Sequence, residues 1–112
     1  MTAKLNDKLR RVGRTLCSVC TKTYHYKRPT SLAGCVVWQE DAEEGSFHVG
    51  NHLAEQQLHG TIDYFTKTEF DETIDNIQAA LESNHSIGWR LSSIQYEDGT
   101  GLIHYEWDFW VS

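Results

Sequence analysis

Three cysteines and a histidine in the first third of the chain have the residue types of a zinc site. Cys17 and Cys20 form a Cys-x-x-Cys pair, and His25 and Cys35 follow it. Thiolate sulfur and imidazole nitrogen are the ligands that structural zinc prefers, and this spacing is compatible with one ion. Because there is a single Cys-x-x-Cys pair and the other two ligands are irregularly spaced, the alternative is three free thiols that pack as small apolar side chains. We expect the free thiols and no cofactor, and we keep the zinc site as the alternative.

A second group of polar residues lies near the end of the chain, in the pattern His104-x-Glu106-x-Asp108. Alternate positions of a strand share one face, so these side chains would follow one another about 6.5–7 Å apart. Such a row could bind a metal ion or carry out general acid–base chemistry. No obvious partner is placed beside it, since the strand expected to pair with it offers Arg90 and Ser92. We expect a solvent-facing surface.

The sequence motifs of common enzyme classes are missing from the chain. The six histidines are scattered, without a His-x-x-x-His pair in a predicted helix. There is no P-loop, no dinucleotide-binding glycine motif and no Gly-x-Ser-x-Gly nucleophile turn. We therefore expect a protein that is not an enzyme.

Charge divides the chain sharply, although the net charge is only −6. Residues 1–28 carry eight Lys and Arg against one acidic residue, whereas residues 29–112 carry two basic and 15 acidic residues. This asymmetry is typical of a segment that binds nucleic acid, or of two surfaces that attract each other between neighbouring subunits. The interface candidates are four basic residues of the first helix and four acidic residues of a later stretch, namely Lys8, Arg10, Arg11, Arg14, Glu40, Asp41, Glu43 and Glu44.

Apolar periodicity predicts the elements of the first half. The first is an amphipathic helix over residues 3–17, whose apolar face is formed by Leu5, Leu9, Val12 and Leu16. Residues 34–40 are rich in β-formers and predict a strand with Val36 and Trp38 on one face. Residues 40–46 predict a solvated acidic loop. Residues 52–67 predict one long strand, with a bend or bulge at Gly60.

The second helix is predicted from Phe70 to Leu81, where apolar residues recur at helical spacing. Thr68 and Asp71, at its start, resemble a capping box. Acidic residues in the first turn suit the positive end of the helix dipole.

The last quarter predicts a β-hairpin. Its first strand begins at Ile87, and its apolar phase slips at a bulge near Ser92 and Ser93, so that Ile94 and Tyr96 continue the apolar face. A turn over residues 97–101 is built on Asp-Gly. The regular alternation of Leu102–Val111 predicts a return strand with one buried and one wet face.

These elements together predict an α+β fold: a mostly antiparallel sheet of about four strands with two helices packed on one face. The length predicts one domain over residues 1–112. Residues 1–22 would form the basic amphipathic helix, and residues 23–112 the sheet and the second helix. No stretch is apolar enough to span a membrane and no secretory signal is evident, so we expect folding in a cytoplasm and no membrane partner.

Several stretches, in their order and spacing, carry a family resemblance. They are Tyr24–Tyr26 continuing into Val36–Glu40, then Gln56–Lys67, Phe70–Leu81, and Ser93–Glu97 with Leu102–Trp107. Covering about residues 24–111, this order resembles the tail-completion and tail-terminator (head–tail joining) proteins of long-tailed phages and prophages. Cys17, Cys20 and Cys35 are no part of that family's pattern.

The resemblance implies a structural virion protein at the head-proximal end of a phage tail. Copies would assemble as a ring, typically a hexamer, while the free protein could remain a monomer. The ring would cap the tail tube protein and present a docking surface for the head connector or head-completion protein. The protein would then be found in the virion tail, after assembly in the host cytoplasm, with at most indirect DNA contact.

The alternative is a small nucleic-acid-binding protein that uses the basic N-terminal helix. Several Lys and Arg on one helix could bind nucleic-acid phosphates, and the release of counterions from those phosphates would favour binding. Tyr24 and Tyr26 could stack on bases.

Overall fold

The computed structural model describes residues 4–50 and 52–112. They form two helices and seven strands: α1 (Leu5–Cys17), β1 (Thr23–His25), β2 (Cys35–Glu43), β3 (Phe47–Val49), β4 (His52–Glu55), β5 (Leu58–Thr66), α2 (Glu72–Ser83), β6 (Ile87–Glu97) and β7 (Leu102–Val111). Among these residues no helix has the length and apolarity needed to cross a membrane. The predicted α+β class is confirmed.

The main sheet has five strands in the order β1-β2-β5-β7-β6, and all its pairings are antiparallel except that of β1 with β2. The predicted sheet of about four strands is thus extended by a fifth strand, β1, at its edge. β3 and β4 form a separate two-stranded sheet. The predicted strand over residues 52–67 is therefore two strands, β4 and β5, interrupted at Gln56 and Gln57.

Both helices pack on one face of the main sheet and share its core. Val12 and Leu16 of α1, and Ile77 and Leu81 of α2, are fully buried there. The sheet contributes its largest apolar side chains to the same core, among them Trp38, Ile62, Trp107 and Phe109. Alternation along β7 puts Trp107, Phe109 and Val111 on this face, as the sequence predicted.

α1 begins at Leu5 and lies over Trp38, since a Cβ on Gly13 would come within 3.2 Å of the Trp38 ring. The predicted apolar face holds for Val12 and Leu16, which are buried, but Leu5 is exposed. Lys8 is the unexpected member of the buried face. It lies one turn before Val12, and its Nζ donates a hydrogen bond to the carbonyl oxygen of Gln56 at 2.7 Å.

α2 begins at Glu72, two residues later than predicted, because its N-cap is Asp71 and not Thr68. An Asp71 carboxylate oxygen accepts a hydrogen bond from the Thr73 N–H at 2.9 Å, as an N-cap requires. The other oxygen accepts from the Tyr64 and Thr66 hydroxyls, each at 2.7 Å. Burial raises the pKa of Tyr64 to about 12, and the Asp71 carboxylate adds to that rise. Phe70, predicted as the first apolar residue of the helix, lies outside it.

The bulge predicted near Ser92 and Ser93 is present, as a register shift between Leu91 and Ser93. Gly60 lies opposite a second bulge, which falls on β2 between Glu40 and Ala42. A Cβ on Gly60 would lie 2.4 Å from the Phe109 ring and 2.2 Å from the Gln39 carbonyl oxygen, so the close approach of three strands requires glycine here.

Candidate functional site

The face of the sheet turned away from the helices carries two groups of paired ionisable residues. In the first, the His59 ring bridges two carboxylates. Nδ1 lies 2.7 Å from an Asp41 oxygen on β2, and Nε2 lies 3.0 Å from an Asp108 oxygen on β7. Arg90 on β6 donates to the other Asp108 oxygen at 2.9 Å. A histidine can donate from both nitrogens only when it is protonated, so this arrangement favours the imidazolium.

The pKa values of this group follow from its contacts. Burial lowers the pKa of His59, but hydrogen bonds to Asp41 and Asp108 outweigh it, so the net pKa is raised. Burial raises the pKa of Asp108, but hydrogen bonds from Arg90 and His59 outweigh it, so the net pKa is lowered. The four residues therefore form a charge-paired network across four strands.

The second group consists of Asp63, His104 and Glu106, which we call the carboxylate–histidine cluster. Asp63 on β5 lies directly opposite Glu106 on β7, and it is only 8% exposed. His104 Nε2 lies 2.7 Å from an Asp63 oxygen. One ligand-type atom from each of the three side chains lies within 4.8 Å of the others, and among the described residues this is the one such group of His, Cys, Asp and Glu.

The partners of the His104-x-Glu106-x-Asp108 row were missed by the sequence interpretation, which considered only β6. β7 has a second neighbour in β5, which supplies Asp63 to His104 and His59 to Asp108. The expectation of a plain solvent-facing strand was therefore wrong, since all three side chains are half-buried and paired. The alternating polar residues of β5, His59, Thr61 and Asp63, were the sequence signal that could have identified these partners. Alternation shows which residues share a face of a strand, but it does not show which strand lies next to it.

The cysteines and His25 do not come together as a set of metal ligands. Cys17 is exposed, and the Cys35 thiol is buried against the carbonyl oxygens of Ser31 and Ala33. His25 is stacked between Tyr26 and Trp38, with Nε2 at 2.7 Å from Glu40. No three of the four side chains, Cys17, Cys20, His25 and Cys35, bring ligand atoms within 4.8 Å of one another. They therefore form no zinc site in this structure.

The basic interface candidates are only partly available at the surface. Lys8 is buried, so its placement on an exposed face was wrong. Arg11 donates to the Ser86 hydroxyl and the Ser112 carbonyl oxygen, both at 3.0 Å, and thereby ties α1 to the end of the chain. Arg10 and Arg14 are exposed, and Arg10 pairs with Asp7 at 3.2 Å. Of these four basic residues, only Arg10 and Arg14 are therefore exposed on the helix face that nucleic-acid binding would use.

The acidic interface candidates lie mainly on a strand, not in the predicted loop, because β2 continues through Glu43. Each also has a partner within the chain. Glu40 accepts from Tyr26 and contacts His25, and Asp41 contacts His59. Glu43 accepts from the Gln56 amide at 3.2 Å, and Glu44 accepts from the Trp110 indole at 3.1 Å.

Two apolar surfaces lie uncovered. The first is the hairpin arm, which consists of β3 and β4. Every described residue of these strands is exposed, including Phe47, Val49 and Leu53. The arm continues from the sheet end where β2 and β5 meet, since the Glu44 N–H donates to the Gln57 carbonyl oxygen at 2.9 Å.

The second surface is the apolar patch, formed by Leu91, Ile94 and Tyr96 on β6 and by Ile103 on β7. Tyr96 is 64% and Ile94 is 56% exposed. The predicted phase was correct, because Ile94 pairs with Tyr105 and Tyr96 pairs with Ile103, both residues of the apolar face. Neither helix covers Leu91, Ile94 or Tyr96, so this part of the face remains exposed.

Phe70 follows a segment of the chain that borders the apolar patch. Lys67 and Glu69 of this segment line the same depression as Ile94, Tyr96 and Ile103. It is 91% exposed. Its φ of 57° lies in the left-handed region, which is costly for a bulky side chain. A strained backbone thus holds an aromatic ring in solvent at this end.

The chain matches no protein-family model, and a search of curated proteins finds no significant relative.

Proposed function

We propose that this protein is a structural subunit that assembles with copies of itself at the head-proximal end of a phage tail, where it caps the tail tube and joins it to the head connector. The observation that carries the proposal is the pair of uncovered apolar surfaces, the hairpin arm and the apolar patch. They lie at opposite ends of a molecule that measures 52 × 23 × 22 Å.

The strand register fixes this arrangement. At one end of the sheet Glu43 pairs with Leu58, Leu58 with Val111 and Val111 with Ile87, and the hairpin arm continues from this end. At the other end Thr66 pairs with Ile103, and Ile103 with Tyr96 of the apolar patch. Within one chain, the arm therefore cannot cover the patch.

A second copy of the chain is the occupant that both surfaces fit. A two-stranded hairpin with exposed apolar side chains is marginally stable alone in water, and an uncovered apolar patch is typical of an interaction site. When the arm of one copy covers the patch of the next, the two contacting surfaces differ. Such a heterologous contact repeats around a ring when the rotation closes.

The position at a phage tail is supported by the order of elements. A central strand followed directly by a helix and a closing hairpin, here β5, α2 and β6–β7, is the order that resembles the tail-completion and tail-terminator proteins. The charge contact first expected between α1 and the acidic stretch has less support, because the four acidic residues already have partners within the chain.

Inactivation of the gene in the phage or prophage genome that carries it tests the proposal. We expect filled heads and separate tails in electron micrographs, with joining restored by the wild-type gene. Restoration should fail with Tyr96→Ser, which removes an exposed ring of the patch, and should succeed with the matched surface control Tyr24→Ser on β1. Joined, infectious particles from the inactivated genome would contradict the tail function.

A further inference from the structure

The carboxylate–histidine cluster lies in the middle of the main sheet, away from the arm and the patch that carry the proposed function. Asp63 comes from β5, and His104 and Glu106 come from β7, so the cluster joins two paired strands. Its three side chains are buried or half-buried, which distinguishes it from the exposed acidic residues of the surface.

The electrostatics of the cluster leave it short of positive charge. Asp63 and Glu106 are directly opposite each other, and like charges in this position repel. Among the described residues, neither carboxylate forms an ion pair with Lys or Arg, whereas Asp108 in the neighbouring network pairs with Arg90. The one ion-pair partner of the nearly buried Asp63 is His104, itself a cluster member.

Residues around the cluster hold its members in place. The His104 ring stacks on Phe65, with centroids 4.4 Å apart and an interplanar angle of 18°. The Ser92 hydroxyl, at the β6 bulge, donates to a Glu106 carboxylate oxygen at 3.1 Å. Bulges redirect side chains in this way, and outer contacts that orient ligands are typical of metal sites.

We propose that Asp63, His104 and Glu106 bind a divalent transition-metal ion of the zinc class. One imidazole nitrogen and two carboxylate oxygens make a mixed nitrogen–oxygen ligand set that suits Zn²⁺, with a water molecule as the fourth ligand. Mg²⁺ and Ca²⁺ prefer oxygen ligands throughout and bind such a set poorly. For a given site, Mn²⁺ binds more weakly than Zn²⁺. The ion would neutralise the facing carboxylates and link β5 to β7.

Binding exchanges a proton for the ion at one atom. His104 Nε2 faces Asp63 at hydrogen-bond distance, so in the metal-free protein a proton lies between them. Coordination requires the lone pair of Nε2, so the ring binds the ion as the neutral tautomer that carries its proton on Nδ1. The Nε2 proton passes to solvent, and a ring that was neutral takes up a proton at Nδ1, whereas an imidazolium already has one there and releases one proton net. His104 Nε2 and the Asp63 carboxylate would then both bind the ion in place of their direct hydrogen bond.

Calorimetric titration of the full chain with ZnCl₂ tests the site. The protein carries Cys17→Ser and Cys20→Ser, so that the more accessible thiols do not bind zinc, and it is first freed of metal with EDTA. We expect one Zn²⁺ per chain, weaker binding of Mn²⁺ and no measurable heat with MgCl₂. Asp63→Asn and Glu106→Gln should each weaken zinc binding at least about tenfold, while the matched control His59→Gln should leave it unchanged.

Nitrogen NMR of the histidine rings gives a readout that does not depend on any variant. Zinc should shift Nε2 of His104 and leave the exposed His48 and His52 unshifted at one equivalent. Thermal melting in EDTA establishes that each variant is folded before titration. Three results would each overturn the proposal: no zinc binding, an equal loss of zinc affinity in His59→Gln and Asp63→Asn, or nitrogen chemical-shift changes confined to other histidines. None of these outcomes bears on the tail function, which gene inactivation tests separately.

Discussion

Trp107 is the largest side chain in the fully buried set, and its Nε1 donates to the Gln78 amide oxygen at 3.1 Å. It therefore joins β7 to α2 by both packing and a hydrogen bond. We expect Trp107→Ala to reduce the free energy of unfolding by about 3–5 kcal/mol, the cost of emptying a large aromatic site. Chemical denaturation measures this loss.

Trp110 is the matched control, because it lies on the same strand but on the opposite, half-buried face. Its indole contacts Glu44, and its ring lies beside His59 and Arg90. Trp110→Ala should cost less than half as much as Trp107→Ala. Equal losses would mean that the two faces of β7 are not divided into core and surface as described.

His59 gives the sheet a pH dependence whose sign follows from its raised pKa. Asp41, Asp108 and Glu44 face the ring as acids, and Arg90 reaches it through Asp108. Because the folded-state pKa lies above the unfolded value of about 6.5, the stabilisation is complete below that pH and is lost as pH rises through the folded-state pKa. Asp108 behaves oppositely: its lowered pKa gives stabilisation above its ordinary value of 3.8 that is lost in acid.

We therefore expect wild type to exceed His59→Gln in free energy of unfolding at about pH 6, and the difference to shrink at about pH 8.5. Denaturation in EDTA at both pH values measures the difference without any metal contribution. A difference that grows with pH would contradict the charge-paired description of this network.

Single residues were predicted from the sequence where periodicity alone decides burial. Val36, Trp38, Trp107 and Phe109 followed from alternation, which reports the face of a strand directly. Lys8 could not be predicted, because its burial depends on a carbonyl oxygen 48 residues away. The pairing of His104 with Asp63 was hidden for the same reason, since 41 residues separate them.

At the scale of elements, the start of α2 differs from its prediction in the residue that caps it. Asp71 caps it and also accepts from the Tyr64 and Thr66 hydroxyls of β5, whereas the Thr68 side chain was the predicted cap. We expect Asp71→Ala to cost about 2 kcal/mol or more, because it removes an N-cap and leaves two hydroxyls without their acceptor. The control Thr68→Ala should change stability by less than about 0.5 kcal/mol. Similar losses for both, measured by denaturation, would favour the capping box.

Element types were predicted better than element ends and neighbours. Both helices, the bulge in β6 and the closing hairpin followed from period and turn chemistry. The acidic stretch over residues 40–46 was predicted as a solvated loop, but β2 continues through Glu43 although acidic residues are poor strand formers. In the fold these residues gain partners from β1, β5 and the segment before β5, and those tertiary contacts outweigh the local preference.

At the scale of the whole molecule, the sequence revealed a division of charge but not a division of apolar surface. Ile94, Tyr96 and Phe47 alternate like core residues, and alternation does not report whether a helix reaches far enough to cover them. Only the lengths and positions of α1 and α2 show which parts of the sheet remain open. Because the two open ends differ, the contact that we propose between copies would be directional.

A directional contact makes a prediction that a symmetric contact does not. Phe47→Ser impairs the arm and leaves the patch, and Tyr96→Ser impairs the patch and leaves the arm; both side chains are exposed, so neither change should unfold the chain. Each variant alone should fail to associate under conditions in which wild type forms larger assemblies. Mixed in equal amounts, they retain one intact arm and one intact patch and should form a one-to-one dimer that grows no further. Sedimentation velocity of the mixture measures this, and higher assemblies, or no association between the two variants where wild type associates, would contradict arm-to-patch contact.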